Sequence, residues 1–255
     1  MKSPYTGYVL GCFFIFLFFF VIDANSAGLS AERKKSPPIS ECFAAEVLDE
    51  FYTRGADINA KNSKGYTKLM QAAWEGRTTK VRELITDGAT QHAKNDNGFT
   101  ALSLAVINGN LEVVRLLLEA GSDASISAVG GITPLMYAVV YDRLEIGKLL
   151  IKSGVDVDVK GEEGQTALKT SAMFGNLEFL ELFLASNAAV NLKNSKGEDA
   201  LFVGVKYHYL GVVNVLIKNN ADVSTKNKAK VSALELAKKN KDTEIVEALI
   251  KAGAK

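Results

Sequence analysis

Residues 131–138 read Gly-Ile-Thr-Pro-Leu-Met-Tyr-Ala, and this pattern returns along the chain at a fixed interval of 33 residues. The threonine position is occupied in turn by Thr67, Thr100, Thr133, Thr166, Asp199 and Ser232. Leucine follows each of them two residues later, and alanine, serine or glycine follows five residues later. Six units therefore share one length and one register, which is typical of a repeat architecture.

The first half of each unit predicts a short helix. Thr, Asp or Ser at the recurring position can accept a hydrogen bond from a free amide of the first helical turn. Pro134 suits the first helical position, and Ser232 with Glu235 can form a capping box. Glycines that can adopt the left-handed conformation predict the end of this helix in three units, at Gly76, Gly109 and Gly175.

The second half of each unit predicts a second helix and a turn. Apolar residues at helical spacing, such as Val114, Leu117 and Leu118, give it one apolar face, and Gly121 ends it. Turn-forming segments then lead to the next threonine. Two short helices cannot bury an apolar face alone, so the units must stack, and the sequence predicts a solenoid.

Two segments together resemble the ankyrin motif: residues 98–102, which read Gly-Phe-Thr-Ala-Leu, and residues 131–138. The resemblance extends over about 41–255 and implies an all-α, ankyrin-repeat solenoid of stacked helix-turn-helix units joined by β-turn loops. It divides the chain into an amino-terminal half-cap at 41–61, repeats at 62–94, 95–127, 128–160, 161–193 and 194–226, and a carboxy-terminal cap repeat at 227–255.

The chain departs from the ankyrin pattern in two ways. The family's histidine after the motif leucine is replaced by Met70, Ser103, Met136, Lys169, Phe202 and Glu235, so the family's threonine–histidine bond is lost. Helix-ending glycines are replaced by Asp142, Asn187, His208, Asn220 and Lys241, which we expect to take the left-handed conformation with less ease.

The first 40 residues differ in composition from the rest of the chain. Lys2 precedes an apolar run at residues 8–22, and Ala24-Asn25-Ser26 follows it, which predicts a signal peptide at 1–26 and a linker at 27–40. The predicted location is periplasmic or secreted. Alternatively, residues 33–35, Arg-Lys-Lys, favour a retained helix at residues 8–22 that anchors a cytosolic scaffold in the membrane.

Charge and residue usage exclude several functions. The 30 basic and 29 acidic residues give a net charge of +1, which argues against nucleic acid as a partner. His92 and His208 fall in different units, so neither a metal site nor a Cys-His nucleophile is expected. The sequence predicts a monomer that is not an enzyme, has no cofactor, binds an unidentified protein and meets a membrane only through an uncleaved amino-terminal segment.

One face of the first helices carries the predicted partner-binding residues. Helical geometry directs the residues two, five and six positions after the motif leucine away from the core, where a polar surface is expected. Apolar residues stand there instead, and others precede the capping threonine: the predicted set is Tyr66, Trp74, Phe99, Ile107, Ile132, Val140, Tyr141, Met173, Phe174 and Tyr207. They form either an interaction surface or a packing layer between neighbouring first helices.

Overall fold

The computed structural model describes residues 57–255. The predicted signal peptide, the linker and residues 41–56 of the half-cap lie outside the described residues, as does the segment predicted to be an anchor. The boundaries of the repeats therefore stay a prediction, and the helices are given below as the structure has them.

Six helix pairs follow one another in the described part of the chain. They are α1 (Lys68–Trp74) with α2 (Thr78–Thr86), α3 (Ala101–Asn108) with α4 (Leu111–Glu119), α5 (Pro134–Val140) with α6 (Leu144–Lys152), α7 (Ala167–Phe174) with α8 (Leu177–Ala185), α9 (Ala200–Lys206) with α10 (Leu210–Lys218), and α11 (Ala233–Asn240) with α12 (Thr243–Lys251). Short 3₁₀ turns occupy Val129–Gly131 and Glu162–Gly164. Within residues 57–255, every helix is too short or too polar to cross a membrane.

Every first helix begins at the predicted capping residue. The Thr100 hydroxyl accepts a hydrogen bond from the Ser103 amide at 3.2 Å, and the Ser103 hydroxyl accepts one from the Thr100 amide at 2.9 Å. Ser232 and Glu235 exchange the same pair of bonds. Serine and glutamate thus take over the position of the missing histidine, and the predicted caps are confirmed.

The helix-ending residues adopt the left-handed conformation whether or not they are glycine. Asp142, His208 and Lys241 have φ angles of 55°, 62° and 64°, and Asn187 and Asn220 have 62° and 63°. This prediction is confirmed. Two further non-glycine residues in loops, Glu163 at 55° and Lys230 at 62°, share the conformation and were not predicted.

The first helices lie side by side in one layer and the second helices in another. The layers meet in a single continuous core, to which each unit adds its motif leucine and one large apolar residue of its second helix. The latter are Leu84, Leu117, Leu150, Phe183, Leu216 and Leu249, each at most 4% exposed. Each unit covers the apolar side of its neighbour, so the predicted all-α solenoid is confirmed.

Hydrogen bonds also connect the loops of neighbouring units. The ammonium group of Lys61 donates to the Lys94 carbonyl at 2.8 Å, and that of Lys94 donates to the Ser127 carbonyl at 3.2 Å. Lys193 repeats the contact with the Lys226 carbonyl at 3.3 Å. These bonds align successive loops along one edge of the stack.

Candidate functional site

Four of the ten predicted binding residues are buried. Tyr66, Trp74, Phe99 and Ile107 are between 0% and 8% exposed. The expectation that Trp74 and Ile107 point to solvent is wrong, because first helices pack beside one another and α3 lies against both α1 and α5. A side chain that leaves the core of its own unit therefore enters the interface with the next unit, and for these residues the packing alternative applies.

The other six predicted residues are half-buried: Ile132, Val140, Tyr141, Met173, Phe174 and Tyr207. Three of them are aromatic and occupy one position in three successive units. Tyr141 and Tyr207 follow the last residues of α5 and α9, and Phe174 is the last residue of α7. We call Tyr141, Phe174 and Tyr207 the aromatic row.

Neighbouring side chains contact two members of the aromatic row, Tyr141 and Tyr207. The Tyr141 ring stacks on the ring of buried Tyr137, with centroids 6.2 Å apart and planes 20° apart, and Tyr137 in turn contacts Phe99 at 5.7 Å. The Lys206 ammonium lies 5.9 Å from the centre of the Tyr207 ring. Partly exposed rings fixed in this way lose little conformational entropy on binding, and such residues dominate protein interfaces.

Polar contacts between units position the backbone beside the row. Asn176 donates from its amide nitrogen to the Asp142 carboxylate at 2.9 Å, and His208 Nδ1 lies 2.8 Å from the Asp242 carboxylate. Arg143 donates to the Ile107 carbonyl at 3.3 Å. These contacts were not predicted from the sequence, although their partners are separated by about one 33-residue interval.

A buried lysine lies in the layer of first helices. Lys169 is 1% exposed, and its ammonium donates to the Leu192 carbonyl at 3.1 Å. Desolvation, with a further contribution from the Lys160 charge, lowers the pKa of Lys169 to about 8, while Asp199 and Asp158 act in the opposite direction. Charge burial of this kind disfavours folding, since a lone hydrogen bond does not replace full hydration.

Within residues 57–255, the structure contains no group of three or more metal-ligating side chains. His92 lies in a loop, where its Nδ1 atom is 3.5 Å from the Asp123 amide nitrogen. His208 instead contacts the Asp242 carboxylate of the next unit. The two histidines are thus tied to separate structural contacts.

The loop tips form a second exposed surface along the edge of the stack. Val129, at the tip before α5, is 56% exposed, and the charged residues Asp96, Glu162 and Glu163 are exposed on the tips to either side. Exposed lysines are most numerous on the tips before α9 and α11, which carry Lys193, Lys196, Lys226, Lys228 and Lys230. The tips before α1, α3 and α7 carry Lys61 and Lys64, Lys94, and Lys160.

The model for ankyrin repeats (3 copies) matches residues 40–128, 69–161, 135–227 and 171–255. The chain belongs to the ankyrin-repeat family. Ankyrin repeats are protein-binding modules, and this is the function that membership implies. A comparison with curated protein sequences finds no significant match.

Two solved structures illustrate the similarity. One is a chain from the complex of the predatory endopeptidase Bd0816 of Bdellovibrio bacteriovorus with immunity protein Bd3460, with 33% identity, a TM-score of 0.65 and coverage of 75% of this chain and 99% of that one. The other is an ankyrin repeat domain from Acinetobacter baumannii, with 26% identity, a TM-score of 0.67 and coverage of 73% and 98%.

Proposed function

We propose that this ankyrin-repeat protein is an exported, non-enzymatic module that binds a partner protein on the concave side of its stack. The aromatic row carries the proposal, because three half-buried rings occupy one position in successive units. Rings at this spacing provide separate anchor points for one continuous partner segment. Val140 and Met173, half-buried at the preceding position, extend the apolar surface beside the rings.

Binding rather than catalysis is supported by the chemistry of the described residues. The histidines are held in structural contacts, and the carboxylates Asp199 and Glu235 act as helix caps. Lys169 has a lowered pKa, but its buried ammonium points to a backbone carbonyl. Asp199 lies close enough to Lys169 for its charge to act on the Lys169 pKa, but its carboxylate caps α9 and also accepts from the Thr225 hydroxyl.

Export is supported by the basic residue, apolar run and small-residue site within residues 1–26. Intact-mass measurement of the protein from its native host is expected to give an amino terminus at or near Ala27. Recovery of the full-length chain from a membrane fraction would favour the anchored scaffold instead.

An endopeptidase is the first partner class to test. A similar chain, 33% identical, comes from a complex of an endopeptidase with an immunity protein. We therefore propose that exported endopeptidases of the native host be screened for binding to this chain and for inhibition by it. A screen in which none binds would remove this partner class but leave the aromatic row to be tested with other proteins.

The aromatic row is tested by replacing Tyr141, Phe174 and Tyr207 together with alanine. A photo-crosslinking residue at Met173 identifies the partner, and one at exposed Glu178 on α8 serves as the control position. If each ring contributes about 2 kcal/mol at the interface and the contributions add, the triple variant binds the identified partner about 10⁴-fold more weakly, and the loss of one ring alone weakens binding about thirtyfold. Helical circular dichroism verifies folding, and an unchanged affinity in a folded variant would contradict the proposal.

A further inference from the structure

The loop tips of the last two units carry a concentrated positive charge. Lys193, Lys196, Lys226, Lys228 and Lys230 are all exposed and belong to the tips before α9 and α11. We call these five residues the lysine tips. The whole chain has a net charge of only +1, so five exposed lysines on two adjacent tips do not follow from composition. Lys193 and Lys196 repeat Lys61 and Lys64 of the first tip, whereas Lys228 and Lys230 have no lysine at the equivalent positions of the other tips.

Hydrogen bonds hold the backbone of the lysine tips. The Asn194 side-chain oxygen accepts from the Lys196 amide at 2.9 Å, and the Asn227 side-chain oxygen accepts from the Val231 amide at 3.0 Å. The two tips are also joined directly, because the Lys228 amide donates to the Lys196 carbonyl at 2.9 Å. The ammonium groups are therefore presented from ordered loops, which reduces the entropy lost on binding, and that of Lys193 already contacts the Lys226 carbonyl.

Lys230 occupies a strained backbone position. Its φ angle is 62°, and the other five loops have glycine at the same place: Gly65, Gly98, Gly131, Gly164 and Gly197. A side chain with a Cβ atom is disfavoured in this region. Lysine is thus placed at the tip against the local preference of the backbone, as happens where a residue serves a function other than folding.

Nearby carboxylates are engaged in structural contacts. Hydrogen bonds from Ser224 and Ser232 lower the pKa values of Asp222 and Glu235, and the Lys193 and Lys226 charges help to lower them. Glu198 accepts from the Asn194 amide at 3.1 Å, Asp222 accepts from the Ser224 hydroxyl at 2.7 Å, and Glu235 accepts from the Ser232 amide at 2.7 Å. Among the described residues, no salt bridge involves Lys226, Lys228 or Lys230, whereas lysines on the second helices do pair, as Lys148 does with Glu145 at 2.7 Å.

We infer that the lysine tips bind an acidic surface of the partner protein. This inference rests on the proposed function, in which the partner is a protein. The charge along the tips also favours a protein over nucleic acid, because exposed Asp96, Glu162 and Glu163 interrupt the positive charge on neighbouring tips. A uniformly charged phosphate backbone running along the edge would be repelled by them, whereas a protein surface can carry both signs.

The test uses an acetylated peptide of alternating Glu and Ser with the chain comprising residues 27–255. Binding is followed by ¹⁵N–¹H correlation spectra at low ionic strength, where exposed charges are screened least. We expect shifts confined to the amides of residues 193–198 and 226–231. The triple change Lys226→Gln, Lys228→Gln and Lys230→Gln is expected to weaken binding by about tenfold, as for three exposed ion pairs of about 0.5 kcal/mol each.

A matched control carries Lys152→Gln, Lys218→Gln and Lys251→Gln, which removes the same charge from exposed positions on second helices. We expect this control to change the affinity less than about twofold. Equal weakening in both variants would overturn the inference, since net charge alone would then explain binding. Tighter binding of a DNA duplex, or of vesicles containing phosphatidylglycerol, at the same ionic strength would also overturn it.

The single change Lys230→Gly separates binding from folding. It is expected to raise the unfolding midpoint, because glycine suits the backbone, and to weaken peptide binding. Unchanged peptide binding by this better-folded variant would exclude Lys230 from the surface. Failure of these tests would leave the crosslinking test of the aromatic row unaffected, so the two proposals fail separately.

Discussion

The described chain divides into two regions that follow the same repeat with different residues. In residues 57–127, every residue with a left-handed backbone is glycine. In residues 128–255, seven non-glycine residues take this conformation: Asp142, Glu163, Asn187, His208, Asn220, Lys230 and Lys241. Each is disfavoured relative to glycine, by about 1 kcal/mol or less for asparagine and more for the others.

The same two regions differ on the face of the first helices. Trp74 and Ile107 are buried in the first region, whereas Val140 and Met173, at the equivalent position, are half-buried in the second. The second region also contains buried Lys169 and the lysine tips. Backbone strain, charge burial and accessible surface thus occur together, which is the arrangement expected where function, rather than stability, determines the residues.

The largest change in the free energy of unfolding should come from replacing one aromatic residue in each region with alanine. Trp74→Ala is expected to lower the free energy of unfolding by about 3 to 5 kcal/mol, because it removes a large buried side chain and leaves a cavity. Phe174→Ala should lower it by only about 1 to 2 kcal/mol, since part of the ring remains in contact with water in the folded protein. Urea unfolding of the two variants beside the wild type measures both values.

Equal losses in the two variants would remove the distinction between a packing layer and an exposed row. Leu117→Ala calibrates the comparison, because Leu117 is fully buried in the common core. We expect a loss of about 2 to 5 kcal/mol for it.

A smaller effect is expected at the buried lysine. Lys169→Met should raise the free energy of unfolding at pH 7 by about 1 to 3 kcal/mol, because methionine fills a similar volume without burying a charge. Chemical unfolding at pH 7 tests this, with Lys152→Met at an exposed position as the control. A loss of stability in the Lys169 variant would mean that the bond to the Leu192 carbonyl outweighs desolvation.

The pH dependence of stability gives an independent check of the same residue. The folded pKa of Lys169 is about 8 and the ordinary value is 10.5. Between these values the unfolded chain binds a proton that the folded chain has released, so the contribution of Lys169 to stability increases as the pH rises through this window. Unfolding at pH 7.5 and pH 10 is expected to show this increase in the wild type relative to the methionine variant, and parallel profiles would contradict it.

The smallest effect concerns backbone strain. Lys230→Gly should raise the free energy of unfolding by about 1 kcal/mol, since glycine adopts a positive φ without penalty. Lys228→Gly, in the same loop but without a positive φ, should not stabilise the protein. Thermal unfolding of both variants measures the difference, and equal shifts would show that the removed charge, and not the backbone, is responsible.

Much of the fold could be predicted because its signals are local. A capping threonine acts on an amide three residues away, and a helix-ending residue is marked by its place in the repeat even when it is not glycine, as Asp142 and His208 illustrate. The repeating motif leucines similarly predict the core, since each unit repeats the environment of the previous one.

The exposure of the binding face could not be predicted in the same way. A helical projection shows which way Trp74 leaves its own helix but not that the neighbouring first helix covers it. Lys169 stands at the position after the motif leucine, where Met70 and Phe202 are also buried, so the repeat does indicate that it is buried. The repeat does not show that the Leu192 carbonyl accepts a hydrogen bond from its ammonium. A contact between units decides the burial of Trp74, whereas the Lys169 ammonium contacts the Leu192 carbonyl of its own unit.

The connection of each unit only to its neighbours has a mechanical consequence. Contacts such as Asn108 to the Trp74 carbonyl or Lys193 to the Lys226 carbonyl span one interval of the repeat, and the helix layers pack with adjacent units. Tension applied to the two ends would therefore detach units one after another from an end. Each detached unit would release about 110 Å of extended chain, so the molecule would lengthen in equal steps under force.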